Sequence, residues 1–340
     1  MRRVAITAPF RAEVQDAPLP EPRPGEAVVE VAFCGVCGTD YHFFRGDLDS
    51  EYPLVGGHEA SGVIVSVGAG VKSWQPGDRV AIDPTLTCNR CYHCLRREFN
   101  QCDNWQAIGD AEPGAFAEFV RAPIANIFRV EDHESLDTAA LTEPLACVVW
   151  GVTRLNLQPA DRVLVFGSGP IGGLLTQMLS KSGPASDIVV VDVMDEKLEI
   201  ARTMGATATY ISGPDLGAEL KERTKGRGFD AVVDCTGVAS VIEGMFGHVA
   251  PRGKVMIFGV TDPKDVVRIS PYDIYRRDIT VVGSMAINFT FQQARELLAS
   301  GRINVRPLIS TVAGLSDLPN ILGRPKRSTE LKTLISPSAG

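Results

Sequence analysis

The stretch VLVFGSGPIG, residues 163–172, decides the fold. Its apolar opening, bounded by glycine, reads as a short buried strand, and residues 170–181 beyond it carry apolar side chains at helical spacing. Between strand and helix lies a G-x-G-x-x-G pattern. Gly167 permits the tight turn, Gly169 lets the backbone approach a pyrophosphate, and Gly172 allows the helix to pack closely on the strand. Pro170 and Ile171 open the helix, whose free N–H groups and positive potential suit an anion. Such a match alone is weak, but here it follows a strand and opens a helix, as the mechanism requires. Asp192 ends the next apolar run, 20 residues after Gly172. A carboxylate there accepts the two ribose hydroxyls of an adenosine and repels a 2′-phosphate, and Lys197 is within reach of the same ribose. The expectation is NAD, with NADP disfavoured. The plainer reading is a structural glycine turn beside a surface aspartate.

Working outward, residues 188–191, 229–234, 254–258 and 279–282 are further apolar runs separated by helical stretches. Strands alternating with helices imply a parallel sheet covered on both faces. After about residue 287 this pattern stops. Residues 291–299 read as one helix, ended by Gly301, and the tail beyond is mixed. Upstream the texture differs. The proline-rich PLPEPRPG at 18–25 leads into an alternating strand at 27–32, and residues 62–67 and 79–82 read as two more. The first 130 or so residues therefore look like an all-β barrel. The chain is of the α/β class, with a barrel joined to a doubly wound parallel sheet.

The sequence has 340 residues, 44% of them hydrophobic, enough for two cores. Its net charge of −7 gives no general attraction for nucleic acid or anionic membrane. The short basic clusters at 96–97, 276–277 and 324–327 read as solvated faces. MRRVAITAPF has no apolar run behind its arginines, and no stretch approaches the roughly 20 residues that span a bilayer. The expectation is a cytoplasmic protein, in which clustered cysteines hold metal or do chemistry rather than form disulfides.

Cys88, Cys91, Cys94 and Cys102 form C-x2-C-x2-C-x7-C. Four thiolates satisfy a tetrahedral zinc and leave no open position, so this lobe at 88–102 is expected to be structural. A disulfide pair and an iron–sulfur cluster are the alternatives, though the C-x3-C-P that follows in ferredoxins is absent. Two other segments carry chemistry. CGVCGTDYH at 34–42 and VGGHEASG at 55–62 offer Cys37, His58 and Glu59 as sulfur, nitrogen and oxygen donors. Three protein ligands with one position open are the pattern of a catalytic zinc. By itself, Gly-His-Glu is more often a turn with a satisfied histidine.

These segments, with PGDRV at 76–80, the four-cysteine lobe, EPLACV at 143–148 and GSGPIG at 167–172, resemble in order and spacing the zinc-dependent medium-chain dehydrogenases, over nearly the whole chain. The resemblance implies a GroES-like catalytic domain at 1–150, a Rossmann NAD-binding domain at 151–287, and a segment at 288–340 that returns to the catalytic domain. It also implies two zinc ions per chain. Cys37 and His58 hold the catalytic one, with Glu59 a ligand or one that exchanges with substrate. Glu143 stands where simple alcohol dehydrogenases place a cysteine ligand, as in the polyol (sorbitol-like) and threonine dehydrogenase branches. Thr39 matches the family's relay hydroxyl and His42 the histidine that passes the proton to solvent. Asp40 buttresses the ligands. Gly38 departs from the cation that simple alcohol dehydrogenases often carry there for the cofactor phosphates.

The activity so implied is NAD-linked oxidation of a secondary alcohol in a polyol, sugar alcohol or sugar acid, with Phe116 and Tyr41 as pocket aromatics and Phe43 and Trp105 as neighbours. L-threonine 3-dehydrogenase is the runner-up, and a phosphorylated polyol, met by Arg324 or Lys326, is a third option. A zinc-containing binding or regulatory protein without catalysis is the alternative of a different class. The resemblance also implies a homo-oligomer, a dimer or tetramer paired through the edge strand near Val281 and Val282.

Overall fold

The computed structural model describes residues 1–48, 50–325 and 329–338. Two compact units divide the chain: Met1–Ala146 with Ile287–Gly340, and Cys147–Ala286. The boundary between them falls within the helix Thr142–Leu155.

The second unit is built on a parallel sheet of six strands among the described residues. Their spatial order is Ala208–Ile211, Asp187–Asp192, Arg162–Phe166, Phe229–Asp234, Val249–Ile257 and Thr280–Gly283. In chain order this is 3-2-1-4-5-6, the doubly wound arrangement whose ligand crevice lies where the order reverses. The reversal falls between Arg162–Phe166 and Phe229–Asp234, which pair from Val163 with Ala231 to Phe166 with Asp234. Val163, Leu164, Val165, Val189, Val190, Val232 and Val233 have no exposed surface. Strands covered on both faces have no polar face, which is why these segments read as unbroken apolar runs. Each such side chain contributes about 1.5–3 kcal/mol by leaving water.

The first unit centres on a sheet with the path Ile309–Gly314, Lys332–Ser336, Glu26–Gly35, Glu59–Val67, Arg79–Ile82 and Ile127–Arg129, with Phe119–Pro123 also paired to Glu26–Gly35. Two of these strands come from the tail, where the sequence shows no sheet pattern. Lys332–Ser336 is buried at every position, so alternation is absent and its lysine, threonine and serine disguise it. That strand runs antiparallel to Glu26–Gly35, with Leu334 opposite Gly35, and this pairing ties the tail to the first unit. An antiparallel hairpin, Arg2–Ala8 with Arg11–Asp16, is likewise unread in the sequence.

One carboxylate of this unit gives a pH prediction. Asp83 follows the strand Arg79–Ile82 and accepts from Thr85 N at 2.9 Å. Burial raises its carboxyl to about 6, against the opposing pull of Thr85. A carboxyl whose folded value is raised favours the folded state at low pH and loses that advantage as pH rises through 6. Asp83→Asn keeps the acceptor and removes the charge. It is expected to stabilise the protein at pH 8 by on the order of 2 kcal/mol and to have little effect at pH 4. Urea unfolding at the two pH values measures this, and a loss of stability at pH 8 would refute it.

Candidate metal and dinucleotide sites

Cys37 sits at the start of the helix Gly38–Arg45, and His58 and Glu59 lie where the strand Glu59–Val67 begins. Asp40, with no exposed surface, ties these two segments together. Its Oδ2 accepts from Cys37 N at 2.7 Å and its Oδ1 from Gly57 N at 3.3 Å, and Oδ1 lies 3.9 Å from His58 Nδ1. The donor atoms of Cys37, His58 and Glu59 all fall within 4.8 Å of one another.

The electrostatics of this group call for a cation. Burial pulls the His58 imidazolium down, but Cys37, Asp40 and Glu143 outweigh it, and the net direction is well above the usual value. Lys332 behaves alike: burial opposes its charge, Glu59 and Cys37 favour it, and the net direction is upward. Lys332 Nζ donates to Glu59 Oε1 at 2.6 Å and to Val36 O at 3.2 Å, all in the buried interior. Glu59 Oε2 is buried without a partner among the described residues. It lies over Gly35, its cross-strand neighbour, where a Cβ would meet it at 2.0 Å. An unpartnered buried carboxylate oxygen costs at least about 1–3 kcal/mol, a cost that a bound cation removes. Sulfur, nitrogen and oxygen donors together suit zinc, and three of them leave a position open. The residues fit a catalytic zinc.

The other expected residues take varied places. Glu143 is buried in the first turn of the helix Thr142–Leu155 and acts on the charges of His58 and Lys332, but it lies outside the 4.8 Å group. Thr39 Oγ1 is 3.7 Å from Cys37 Sγ, and His42 stands one helical turn further on. Gly38 opens onto free space. Phe116 differs from its expected place in a pocket. It is 1% exposed and packed in the core under Gly56 and Gly57, because Gly57, at a φ of 90° and with a Cβ position only 2.7 Å from Phe116 N, leaves room for its backbone and ring. Tyr41 and Phe43 also pack on that core. Trp105 Nε1 is buried without a partner among the described residues. Arg324 is engaged by Glu330 at 2.9 Å, and Lys326 lies outside the described residues.

The sequence did not point to Lys332 or to Asp110. Asp110 is raised by burial, with His58 opposing, which brings a further carboxylate into the field of the metal group. The Leu-Ile pair within KTLIS was the one available signal for a buried strand there, and a buried lysine at its head needs a buried anion.

The four-cysteine lobe is also assembled for metal. Cys88, Cys91, Cys94 and Cys102 are free thiols with their sulfurs within 4.8 Å of one another. Cys102 Sγ lies 3.5 Å from Cys88 Sγ and 3.9 Å from Cys91 Sγ. Tetrahedral zinc with bonds of about 2.3 Å places its sulfurs about 3.8 Å apart. Cys94 N, Cys88 N and Asn104 N each donate to one of these sulfurs at 3.4 Å, as thiolates require. Backbone donors draw the Cys88 thiol down to about 6. The lobe fits a closed, structural zinc.

In the second unit the glycine pattern lies at the sheet's reversal. Gly167 has φ +95°, and a Cβ there would press on Thr236 and Cys235. A Cβ on Gly172 would meet Gly167 O at 1.8 Å, so only glycine lets the helix Pro170–Ser182 pack this close. Gly169, capping that helix, faces open space, and the backbone there is free to meet an anion. Pro170 and Ile171 form the helix's first turn. Asp192 Oδ2 accepts from Ser168 N at 2.7 Å and Oδ1 from Met194 N at 3.0 Å, which fixes the carboxylate beside the glycine turn. Ser168 Oγ donates to Lys197 O at 2.9 Å, which brings Lys197 to the same turn. The cradle fits a dinucleotide.

Known proteins agree with this architecture. The alcohol dehydrogenase GroES-like domain family matches residues 23–132, and the zinc-binding dehydrogenase family matches residues 170–300. D-arabinitol dehydrogenase 1 of Uromyces fabae is 33% identical over 92% of this chain and 90% of its own length. The chain belongs to the zinc-dependent medium-chain dehydrogenases, on the polyol dehydrogenase-like side of the family. D-altritol 5-dehydrogenase of Agrobacterium fabrum is 33% identical over 98% of both chains. A solved structure described as a zinc-binding dehydrogenase of Sinorhizobium meliloti 1021, bound to NADP, superposes on this dehydrogenase with a TM-score of 0.94, 32% identity and 99% coverage of both chains. The protein is thus an oxidoreductase with a GroES-like and a Rossmann domain. Among the described residues no helix is long and apolar enough to cross a membrane.

Proposed function

We propose that this dehydrogenase oxidises a secondary hydroxyl of a polyol, sugar alcohol or sugar acid to the ketone and reduces NAD. The observation that carries the reading is the convergence of half-buried Cys37 and His58 on buried Glu59, with one carboxylate oxygen unpartnered. Relatives named for D-arabinitol and D-altritol support the substrate class. When bound, zinc supplies a Lewis acid for the substrate hydroxyl and NAD supplies the hydride acceptor.

The chain's own residues do the rest. Cys37, His58 and Glu59 hold the catalytic ion, and Cys88, Cys91, Cys94 and Cys102 hold the structural one. Asp40 fixes both ligand-bearing segments through Cys37 N and Gly57 N. Lys332 holds Glu59 Oε1 and leaves Oε2 for the cation. Glu143 adds a carboxylate beside His58, and Asp110 adds another. Thr39 and His42 lie three residues apart on one helix and so share a face. Thr39 Oγ1 takes the hydroxyl proton as it gives up its own, and the His42 imidazole is the base that carries the proton to solvent.

In the second unit, the Gly167–Gly172 turn receives the pyrophosphate and Asp192 the adenosine ribose. A 2′-phosphate beside that carboxylate costs several kcal/mol. NAD is therefore expected to exceed NADP in kcat/KM by at least about 30-fold, and Asp192→Ser to narrow the ratio by tenfold or more. A wild-type preference for NADP would overturn this assignment. The eight free cysteines support a reducing, cytoplasmic setting. Thr280–Gly283 is an edge strand with Val281 exposed, and the helix Pro271–Arg277 that precedes it in sequence exposes Tyr272 and Tyr275; these features support pairing with a second copy. Light scattering is expected to give a dimer or tetramer, and a monomer at micromolar concentration would contradict it.

The test of the activity is NADH formation over pentitols, hexitols, aldonates, polyol phosphates, L-threonine and simple alcohols, with and without a zinc chelator. Chelator-sensitive turnover of a polyol or aldonate is expected. Turnover of L-threonine alone would replace the reading.

A further inference from the structure

The helix Gly38–Arg45 ends at Gly46, whose φ of 75° turns the chain back on itself. Gly46 N donates to Phe43 O at 3.2 Å and Asp47 N to His42 O at 3.0 Å, the backbone pattern of a left-handed helix cap. A Cβ at position 46 would also lie 2.9 Å from Pro9 Cγ, so this turn needs glycine in both conformation and space. The consequence is that Asp47 folds over the last turn and meets His42.

Three charged or titratable groups converge there on two atoms. Asp47 Oδ2 is 3.1 Å from His42 Nδ1, Arg45 Nε donates to the same Oδ2 at 2.7 Å, and Arg45 Nη2 is 3.1 Å from the same Nδ1. A carboxylate only accepts, so its contact requires a proton on Nδ1 and leaves Nε2 bare. A guanidinium only donates, so its contact requires a bare Nδ1 and places the proton on Nε2. The two partners ask for opposite tautomers. Asp47 has the stronger claim. Its side chain is 26% exposed against 43% for Arg45, and the Arg45 guanidinium is already committed to it through Nε. The Arg45 and His42 contacts also hold the Asp47 carboxyl below its usual range, so it remains an acceptor. The elements packed on this helix add little charge. Leu318–Gly323 carries no titratable side chain, and Arg2–Ala8 carries Arg2, held by Glu118, and Arg3; neither arginine is among the groups that set the Asp47 carboxyl, which are Arg45 and His42.

We infer that Asp47, clamped by Arg45, is a positioning residue that holds His42 as the Nδ1–H tautomer and leaves Nε2 bare to take the substrate proton. Arg45 is at once the clamp and the competitor for Nδ1. The inference rests on the reading of His42 as the proton-accepting base.

The test uses zinc-loaded, full-length protein with 15N-labelled histidine. Long-range proton–nitrogen spectra report which ring nitrogen is protonated, and His42→Gln assigns the signal among the five histidines. In the wild type, His42 is expected to carry its proton on Nδ1. In Asp47→Ala, Arg45 claims Nδ1 and the proton moves to Nε2, with kcat about tenfold lower on the panel member that turns over fastest. In the Asp47→Ala, Arg45→Ala double variant, the bias is gone, both tautomers appear and part of kcat returns. An unchanged tautomer in Asp47→Ala, or a double variant no different from it, would overturn the clamp. Failure of the base reading looks different: His42→Gln would then retain full kcat whatever the spectra show.

Discussion

Cys37→Ser is expected to lower kcat by at least about 10³-fold and to reduce the zinc content from two ions per chain to one. A serine hydroxyl is not ionised at working pH and is a poor zinc donor, so the three-residue group loses its only thiolate. The Lewis acid accounts for several kcal/mol of transition-state stabilisation, and about 4 kcal/mol corresponds to a factor of 10³. The substitution separates chemistry from folding. Position 37 caps the helix Gly38–Arg45, a place serine fills well, and the Asp40 contact is to the Cys37 backbone N–H, which serine keeps. The backbone contacts survive, so the loss of stability should be limited to what the bound cation contributes at Glu59 Oε2, about 1–3 kcal/mol. Cys102→Ser is the complement, since it opens the lobe whose sulfurs it shares with Cys88 and Cys91. Atomic absorption and NADH kinetics on both variants check this. Full activity in Cys37→Ser would remove the metal group from the chemistry.

Lys332→Met is expected to destabilise the first unit by about 3–5 kcal/mol, because it leaves Glu59 charged, buried and without its 2.6 Å partner. Met matches the length of the lysine stem, so little of the loss is packing. The pair predicts strong coupling. Glu59→Gln alone strands the lysine, and the Glu59→Gln, Lys332→Met double variant should be more stable than either single one. The pH dependence has a definite sign. Folded Lys332 holds its proton above the ordinary value of 10.5, so its contribution is complete below that pH and declines in stronger alkali. Urea titrations of the four proteins at pH 8 measure the coupling, and additive losses would show that the contact contributes nothing of its own.

What could be read from the sequence is what the chain encodes locally. The glycine turn, the cysteine spacing and the segments around Cys37 and His58 each span fifteen residues or fewer, and their chemistry follows from that closeness. The apolar runs of the parallel sheet are legible because both faces are covered. Lys332 was not legible, because its role exists only once Lys332–Ser336 pairs with Glu26–Gly35 and brings it to Glu59, 273 residues away in sequence. Asp47 was hidden for a different reason: it reaches His42 through the left-handed turn at Gly46, and spacing along a helix does not anticipate that fold-back. Phe116 shows the opposite error. Its motif resembles a pocket aromatic, and only the close approach of Gly56 and Gly57 assigns it to the core.

The most direct measurement is X-ray diffraction from crystals of the zinc-loaded protein on both sides of the zinc absorption edge. The account predicts two anomalous peaks per chain, one bounded by Cys37, His58 and Glu59 and the other by Cys88, Cys91, Cys94 and Cys102. A single peak at the four-cysteine lobe, with Cys37, His58 and Glu59 empty at saturating zinc, would contradict it.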